Sequence, residues 1–123
     1  MLSEMNATQL KKYEQRIVQI KRRLSGLGEM RPGSLSQQYN VCGKAGCRCK
    51  DPRRPRRHGP YYQLSYVHQG KSTSQFIPPA QVKAVQAQLV TYKTFRQLTQ
   101  EWTDLALRIA KYKLQLAKKK LSK

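Results

Sequence analysis

The segment from Ala80 to Leu121 contains no glycine and no proline. Its apolar residues recur at spacings of three and four, which is the period of one face of an α-helix. Pro79 suits the first helical position, where the missing N–H would have no helical partner anyway. The sequence therefore predicts a helix over residues 79–121, about 60 Å long at ~1.5 Å per residue.

The apolar residues of this helix fall into two groups. The first contains Val82, Val85, Leu89 and Tyr92, and the second contains Phe95, Leu98, Trp102, Leu105, Ile109, Tyr112 and Leu116. The step of three from Tyr92 to Phe95 changes the phase of the pattern once. We expect Trp102 and Phe95 to be core residues. The Lys-rich end, with Lys118, Lys119 and Lys120, is either a solvated tail or an arm that follows phosphates.

A second, shorter helix is predicted over residues 6–27. Asn6 and Gln9 form the pattern of an N-terminal capping box, and Gly26 and Gly28 favour its termination. Its apolar positions are Leu10, Tyr13, Ile17, Ile20, Leu24 and Leu27. The basic residues off this seam fit a solvated face or a phosphate-contacting face.

Two such helices predict an antiparallel coiled-coil stalk. The part of the long helix that the short one cannot cover would pair with a second copy or another protein.

Three cysteines and a histidine lie between the helices. Cys42, Cys47, Cys49 and His58 follow the pattern C-x4-C-x-C-x8-H. Three thiolates and one imidazole complete a tetrahedral shell, which predicts a structural zinc ion with no open position for water. Unligated thiols, and redox or iron–sulfur use, remain open as alternatives. An odd number of cysteines in a reducing compartment argues against a disulfide framework.

Basic residues surround these ligands. They are Lys44, Arg48, Lys50, Arg53, Arg54, Arg56 and Arg57. One or two of them would neutralise the net charge of −1 that three thiolates and Zn²⁺ carry. Pro52 and Pro55 oppose a helix and favour an extended chain, which would spread the guanidinium groups for phosphate contacts. We expect a nucleic-acid contact here, and a merely solvated loop is the alternative.

A β-hairpin is predicted over residues 61–77. Two alternating runs flank the turn residues Gln69 and Gly70. This turn would pair Tyr62 with Ile77, Leu64 with Gln75 and Tyr66 with Thr73 on an apolar face, which would cover the metal site or the stalk. The opposite face is polar, and Tyr61 and Phe76 would offer aromatic rings beside it for stacking. We add Tyr61 and Lys71 to the candidate nucleic-acid contacts.

Composition limits the function classes. The 123 residues contain 25 Lys and Arg against six Asp and Glu, giving a formal charge of +19, and 38% are hydrophobic. This length predicts one domain over residues 1–123, and the low hydrophobic fraction predicts a small core. The charge indicates a polyanionic partner. The N-terminal residues contain no apolar run, so we expect no signal peptide, no membrane span and a cytoplasmic location that includes the nucleoid.

Few residues of this chain suit enzyme chemistry. The close carboxylates Glu101 and Asp104 lie on the predicted long helix without a histidine or metal cluster near them in sequence. The chain also lacks a phosphate-binding glycine loop and a nucleophile elbow. We therefore expect a protein without catalytic activity.

The segment from Met30 to Ser65 resembles an uncharacterised family of short basic prokaryotic proteins. The shared pattern is R-x-G-S at Arg31–Ser34, then C-G-K and C-R-C, then H-G-P-Y-Y from His58. The resemblance covers roughly residues 30–100 and leaves out the N-terminal helix and the Lys-rich tail. Genes of that family often lie beside mobile-element genes, which implies an accessory role in DNA transactions.

These observations predict an α+β fold, mainly α, in which a coiled-coil stalk carries an inserted head over residues 30–78. The head contains the zinc knuckle and the hairpin. The predicted function is non-enzymatic nucleic-acid binding, with DNA favoured over RNA. Two alternatives are an adaptor that binds a larger enzyme such as a recombinase through the long helix, and an RNA- or ribosome-associated factor.

Overall fold

The computed structural model describes residues 5–40 and 42–121. The chain divides into two compact units, one formed by Met1–Gly28 with Lys93–Lys123 and the other by Glu29–Tyr92. The first unit is helical. The second contains a three-stranded sheet and the first turns of the long helix, so the fold is α+β. Residues 1–4, which begin the segment expected to lack a signal peptide, lie outside the described residues.

Helix α1 covers Ala7–Ser25, and helix α2 covers Val82–Leu121. The capping box at the start of α1 is present, because the Asn6 side chain accepts from the Gln9 N–H at 2.9 Å while the Gln9 side chain accepts from the Asn6 N–H. A short 3-10 turn over Pro79–Gln81 precedes α2. Regular α-helix therefore begins three residues later than the sequence predicted.

The helical unit has a core of its own. Ile20 of α1 is fully buried and clusters with the buried Leu98 and Leu105 of α2. The partly buried residues that pack against this cluster are Tyr13, Ile17, Leu24 and Trp102. The predicted apolar seam is thus the buried face of α1. Trp102 is a core residue, as expected, and the ammonium of Lys21 lies 5.3 Å from the centre of its ring.

The sheet unit contains strands β1 (Ser34–Asn40), β2 (His58–His68) and β3 (Lys71–Ile77), antiparallel in the order β1-β2-β3. The predicted hairpin register is confirmed, since Tyr62 pairs with Ile77 and Tyr66 pairs with Thr73. Gln69 and Gly70 both have positive φ, as a tight two-residue hairpin turn requires. Strand β1 was missed, because its sequence S-L-S-Q-Q-Y-N has little apolar alternation.

The apolar face of this sheet covers the start of α2. Leu64 and Ile77 are buried with Val82 and Val85, and Leu35, Tyr62, Tyr66 and Leu89 complete the cluster. The phase change predicted after Tyr92 coincides with the boundary between the two units. The first apolar group of the long helix therefore packs against the sheet, and the second packs against α1.

Within the described residues, no helix offers a stretch that is both long and apolar enough for a bilayer crossing.

Candidate metal centre and basic segment

Four side chains meet at the end of the sheet where β2 begins. Cys42 follows β1, Cys47 precedes a short 3-10 turn over Arg48–Lys50 that contains Cys49, and His58 is the first residue of β2. The pairing of Asn40 with His58 joins the two strands at this point. The β-ladder therefore brings Cys42 close to His58, although 16 positions separate them in the chain.

The geometry of the cluster suits a single ion. One ligand atom from each of Cys42, Cys47, Cys49 and His58 lies within 4.8 Å of all the others. The sulfur atoms of Cys42 and Cys49 are 3.5 Å apart, and Cys47 Sγ is 3.2 Å from His58 Nε2. A tetrahedral zinc ion with bonds of ~2.3 Å to sulfur separates its ligands by roughly 3.8 Å. The four predicted residues can therefore hold a metal ion, and the three cysteines are free thiols.

Backbone N–H groups point at the sulfur atoms. The Cys42 N–H donates to Cys49 Sγ at 3.3 Å. Hydrogen bonding from the Lys44 N–H lowers the pKa of Cys42, and hydrogen bonding from the Cys49 N–H lowers the pKa of Cys47 to about 6. In both cases the donor follows the cysteine by two residues. This arrangement stabilises thiolates, which are the metal-binding form of cysteine.

The other two candidate ligands, Cys49 and His58, have raised pKa values. Burial raises the pKa of the Cys49 thiol, whose residue is 2% exposed. Hydrogen bonds to Cys42 and then Cys47 raise the pKa of His58. The thiols that attract a proton to His58 are the same groups that would attract a metal cation.

The basic segment, residues 48–57, contains hydrogen bonds that join its own residues to one another. The Arg56 N–H donates to the Arg48 carbonyl at 2.9 Å. Asp51 Oδ1 accepts from the Arg53 N–H at 2.9 Å and from the Arg54 N–H at 3.4 Å. The side chains of Arg48, Lys50, Arg53, Arg54, Arg56 and Arg57 are all exposed. The segment is thus a hydrogen-bonded loop with its cations directed to solvent.

A cavity of about 490 Å³ opens beside the cluster, lined by Asn40, Cys42, Lys44, Cys47, His58 and Tyr61. Tyr61 is one of the candidate nucleic-acid contacts. Its ring forms an edge-to-face pair with that of Phe76, with ring centres 6.5 Å apart. Phe76 is 65% exposed on the polar face of the sheet. Asn40 was not among the predicted site residues, although its position two residues before Cys42 could have indicated it.

Lys71 stands apart from the other predicted contacts. It pairs with His68 next to the hairpin turn. His58 is at the other end of the 11-residue strand β2. The structure therefore brings Lys44 and Tyr61 to the candidate centre and leaves Lys71 at the opposite end of the sheet.

The profile of a protein family described as a domain of unknown function, DUF6788, matches residues 10–87. The chain belongs to the DUF6788 family. The match confirms the predicted membership of an uncharacterised family, and it includes most of α1, which the sequence resemblance left out. It also spans all four candidate ligands of this DUF6788 chain. No curated protein and no solved structure matches the sequence.

Proposed function

We propose that this chain is a non-enzymatic nucleic-acid-binding protein whose basic segment is held in place by a structural zinc ion. The observation that carries the proposal is the hydrogen bond from Arg56 to Arg48, because it ties an exposed arginine loop to the turn that follows Cys47 and contains Cys49. The role that fits is an accessory factor in DNA transactions, including those of mobile elements, in the cytoplasm or on the nucleoid.

Zinc is the metal that best fits the donor set. Thiolates and imidazole in a tetrahedral arrangement favour Zn²⁺ over Mg²⁺ or Ca²⁺, which prefer oxygen ligands. The four protein ligands fill the coordination shell, so the ion would be structural. Its centre would carry a net charge of −1, which Lys44, Arg48 and Lys50 offset.

Nucleic acid is the partner that best fits the charge. Guanidinium groups bind phosphate oxygens in a bidentate manner, and a loop already fixed by hydrogen bonds loses less entropy on binding than a free one. The exposed ring of Tyr61 lies at the adjacent cavity, where it could stack on a base. We favour DNA, and RNA is the second choice.

The helical unit would act as an antiparallel coiled-coil stalk. Arg16 of α1 pairs with Glu101, whereas Tyr13, three residues earlier in α1, contacts Arg108, which lies later in α2. Contact positions that run in opposite directions along two helices are typical of antiparallel packing. This stalk would carry the zinc-braced loop.

An adaptor function is the second candidate. Leu107, Leu114 and Leu121 of α2 are 56%, 57% and 86% exposed. Exposed leucines in one row favour a further protein contact through the long helix, either with a second copy or with a larger enzyme such as a recombinase.

The direct test is to purify the full chain at low salt and treat the co-purifying 260 nm material with DNase or RNase. Loss of this material with DNase supports DNA binding. Loss with RNase alone supports the alternative of an RNA- or ribosome-associated factor. Absence of such material, together with weak binding of both nucleic acids at physiological salt, would overturn the proposal and leave the adaptor function.

A further inference from the structure

A second heptad pattern runs along the outside of α2. We call it the outer seam, and it consists of Thr103, Leu107, Ala110, Leu114, Ala117 and Leu121. These residues follow one another at spacings of four and three, and all six are exposed. Such spacing is typical of the core positions of a coiled coil, with leucine at one position and a small residue at the other.

The outer seam is separate from the face that packs against α1. Trp102 and Leu105 pack in the core shared with α1, and Leu107 and Ala110 follow them by five positions each. Five residues correspond to about 140° of rotation at 3.6 residues per turn. One helix therefore carries two apolar seams, of which α1 covers only one within the described residues.

A groove lies along the beginning of the outer seam. Its volume is about 460 Å³, and it is lined by Thr99, Trp102, Thr103, Ala106, Leu107 and Ala110. The small side chains leave room for a large apolar side chain from another helix. This shape suits the knobs-into-holes packing of a coiled-coil partner.

Charge identifies the kind of partner. The positions that flank the outer seam are Asp104, Lys111 and Lys118 on one side and Ala106, Lys113 and Lys120 on the other. A second copy of α2 would bring four flanking lysines and one carboxylate, Asp104, against the same set, so the excess of like charge opposes self-association. Rows of Glu or Asp would instead meet all four lysines. Nucleic acid would also meet the lysines, but phosphates offer no apolar surface for the leucines between them.

We propose that the outer seam binds an amphipathic helix of another protein whose own apolar seam is flanked by Glu or Asp. The outer seam belongs to the helical unit, whereas the basic segment belongs to the sheet unit. This interaction therefore stands whether or not the chain binds nucleic acid.

The probe is a synthetic helical peptide three heptads long, with Leu at both core positions and Glu at the flanking positions. A control peptide carries Lys in place of Glu. Fluorescence anisotropy with the full chain should show binding of the Glu peptide at least about tenfold tighter than of the Lys peptide. The combined variant Lys111→Glu, Lys113→Glu, Lys118→Glu and Lys120→Glu should reverse this preference.

A second variant separates apolar packing from charge. Leu107→Asn with Leu114→Asn keeps every lysine and should abolish binding, whereas Val90→Asn, at another exposed apolar position of α2, should not. The helix content of each variant is checked by circular dichroism. The proposal is overturned by equal binding of the two peptides, by no binding of the Glu peptide, or by unchanged binding in the double leucine variant. Self-association of the full chain that depends on Leu114 would also overturn it, because a second copy would then occupy the seam.

Discussion

The backbone N–H of Arg56 donates a hydrogen bond of 2.9 Å to the carbonyl oxygen of Arg48. Arg48 lies between two of the candidate metal ligands, and Arg56 lies two residues before the fourth. This bond and the side chain of Asp51 give the intervening basic residues a defined backbone path. If the proposed metal ion is bound here, its removal should therefore affect basic residues that do not themselves contact it.

Asp51 provides a test of whether this path matters for binding. Asp51→Asn and Asp51→Ala remove the same negative charge, but only asparagine keeps an oxygen that can accept from the Arg53 N–H. We expect the alanine variant to bind DNA about two- to tenfold more weakly than the asparagine variant. This is the change in affinity that corresponds to the net free energy of one hydrogen bond. Equal affinities in a fluorescence anisotropy titration would show that charge alone determines binding.

The chain contains two histidines, of which His58 lies in the candidate metal centre and His68 does not. Substitution of His68 is therefore a control for substitution of His58. His58→Asn removes a ligand, so metal affinity should fall by at least about tenfold and the unfolding temperature should fall with it. His68→Asn, at the hairpin turn, should leave both unchanged. Zinc content measured by inductively coupled plasma mass spectrometry and thermal unfolding report the two effects. Full zinc content in the His58 variant would contradict the ligand set.

Ile20 should be the residue of α1 most sensitive to truncation, because it is completely buried. Ile20→Ala removes its contacts with the α2 core and should lower the free energy of unfolding by about 2–5 kcal/mol. Val18→Ala, on the same helix but 46% exposed, should change it by less than about 0.5 kcal/mol. Urea denaturation measures both. Similar losses in the two variants would contradict the assignment of the buried face.

The ion pair of Arg16 with Glu101 predicts a dependence on pH. Its two hydrogen bonds measure 2.6 and 2.8 Å, and they hold the pKa of Glu101 below its ordinary value of 4.5. The pair therefore stabilises the folded state above pH 4.5, and this contribution is lost as the pH falls through the lower pKa of the folded state. Glu101→Gln should lower the unfolding temperature at pH 7 by at most about 4 °C, since both side chains are partly exposed.

The pH dependence of that difference is the test. Thermal unfolding between pH 7 and pH 3 should show the gap between the wild type and Glu101→Gln closing in acid. Asp104→Asn, at an exposed carboxylate on the same helix, is the control. A gap that stayed constant to pH 3 would mean that Glu101 acts through packing and not through its charge.

Sequence patterns predicted those parts of the fold in which one face is buried. The hairpin register followed from alternation, because a shift of one residue would have exposed Leu64. The seam of α1 followed from helical periodicity in the same way. Strand β1 could not be predicted, because Leu35 alone of its residues packs in the hydrophobic core. Its existence depends on pairing with β2.

The candidate metal ligands were predictable from their chemistry, and the way the backbone supports them was not. Three cysteines and a histidine supply donor atoms suited to a metal ion, whatever backbone conformation brings them together. The N–H groups of Lys44 and Cys49 that face the thiols depend on local backbone angles, which residue identity does not determine. The bond between Arg56 and Arg48 likewise depends on a return of the chain that composition does not reveal.

The most direct measurement of the central claim is the salt dependence of DNA binding by the zinc-loaded chain and by a variant with Arg53, Arg54, Arg56 and Arg57 changed to Gln. Each phosphate contact contributes about 0.9 to the slope of log affinity against log salt, so the variant should lose up to roughly 3.6 from that slope. A control with Lys11, Lys12, Lys83 and Lys93 changed to Gln loses the same charge at exposed positions outside the basic segment. The account predicts weaker binding with a clearly reduced salt slope in the arginine variant and a smaller change in the control. Equal slopes for the two variants would contradict the assignment of the basic segment as the nucleic-acid-binding surface.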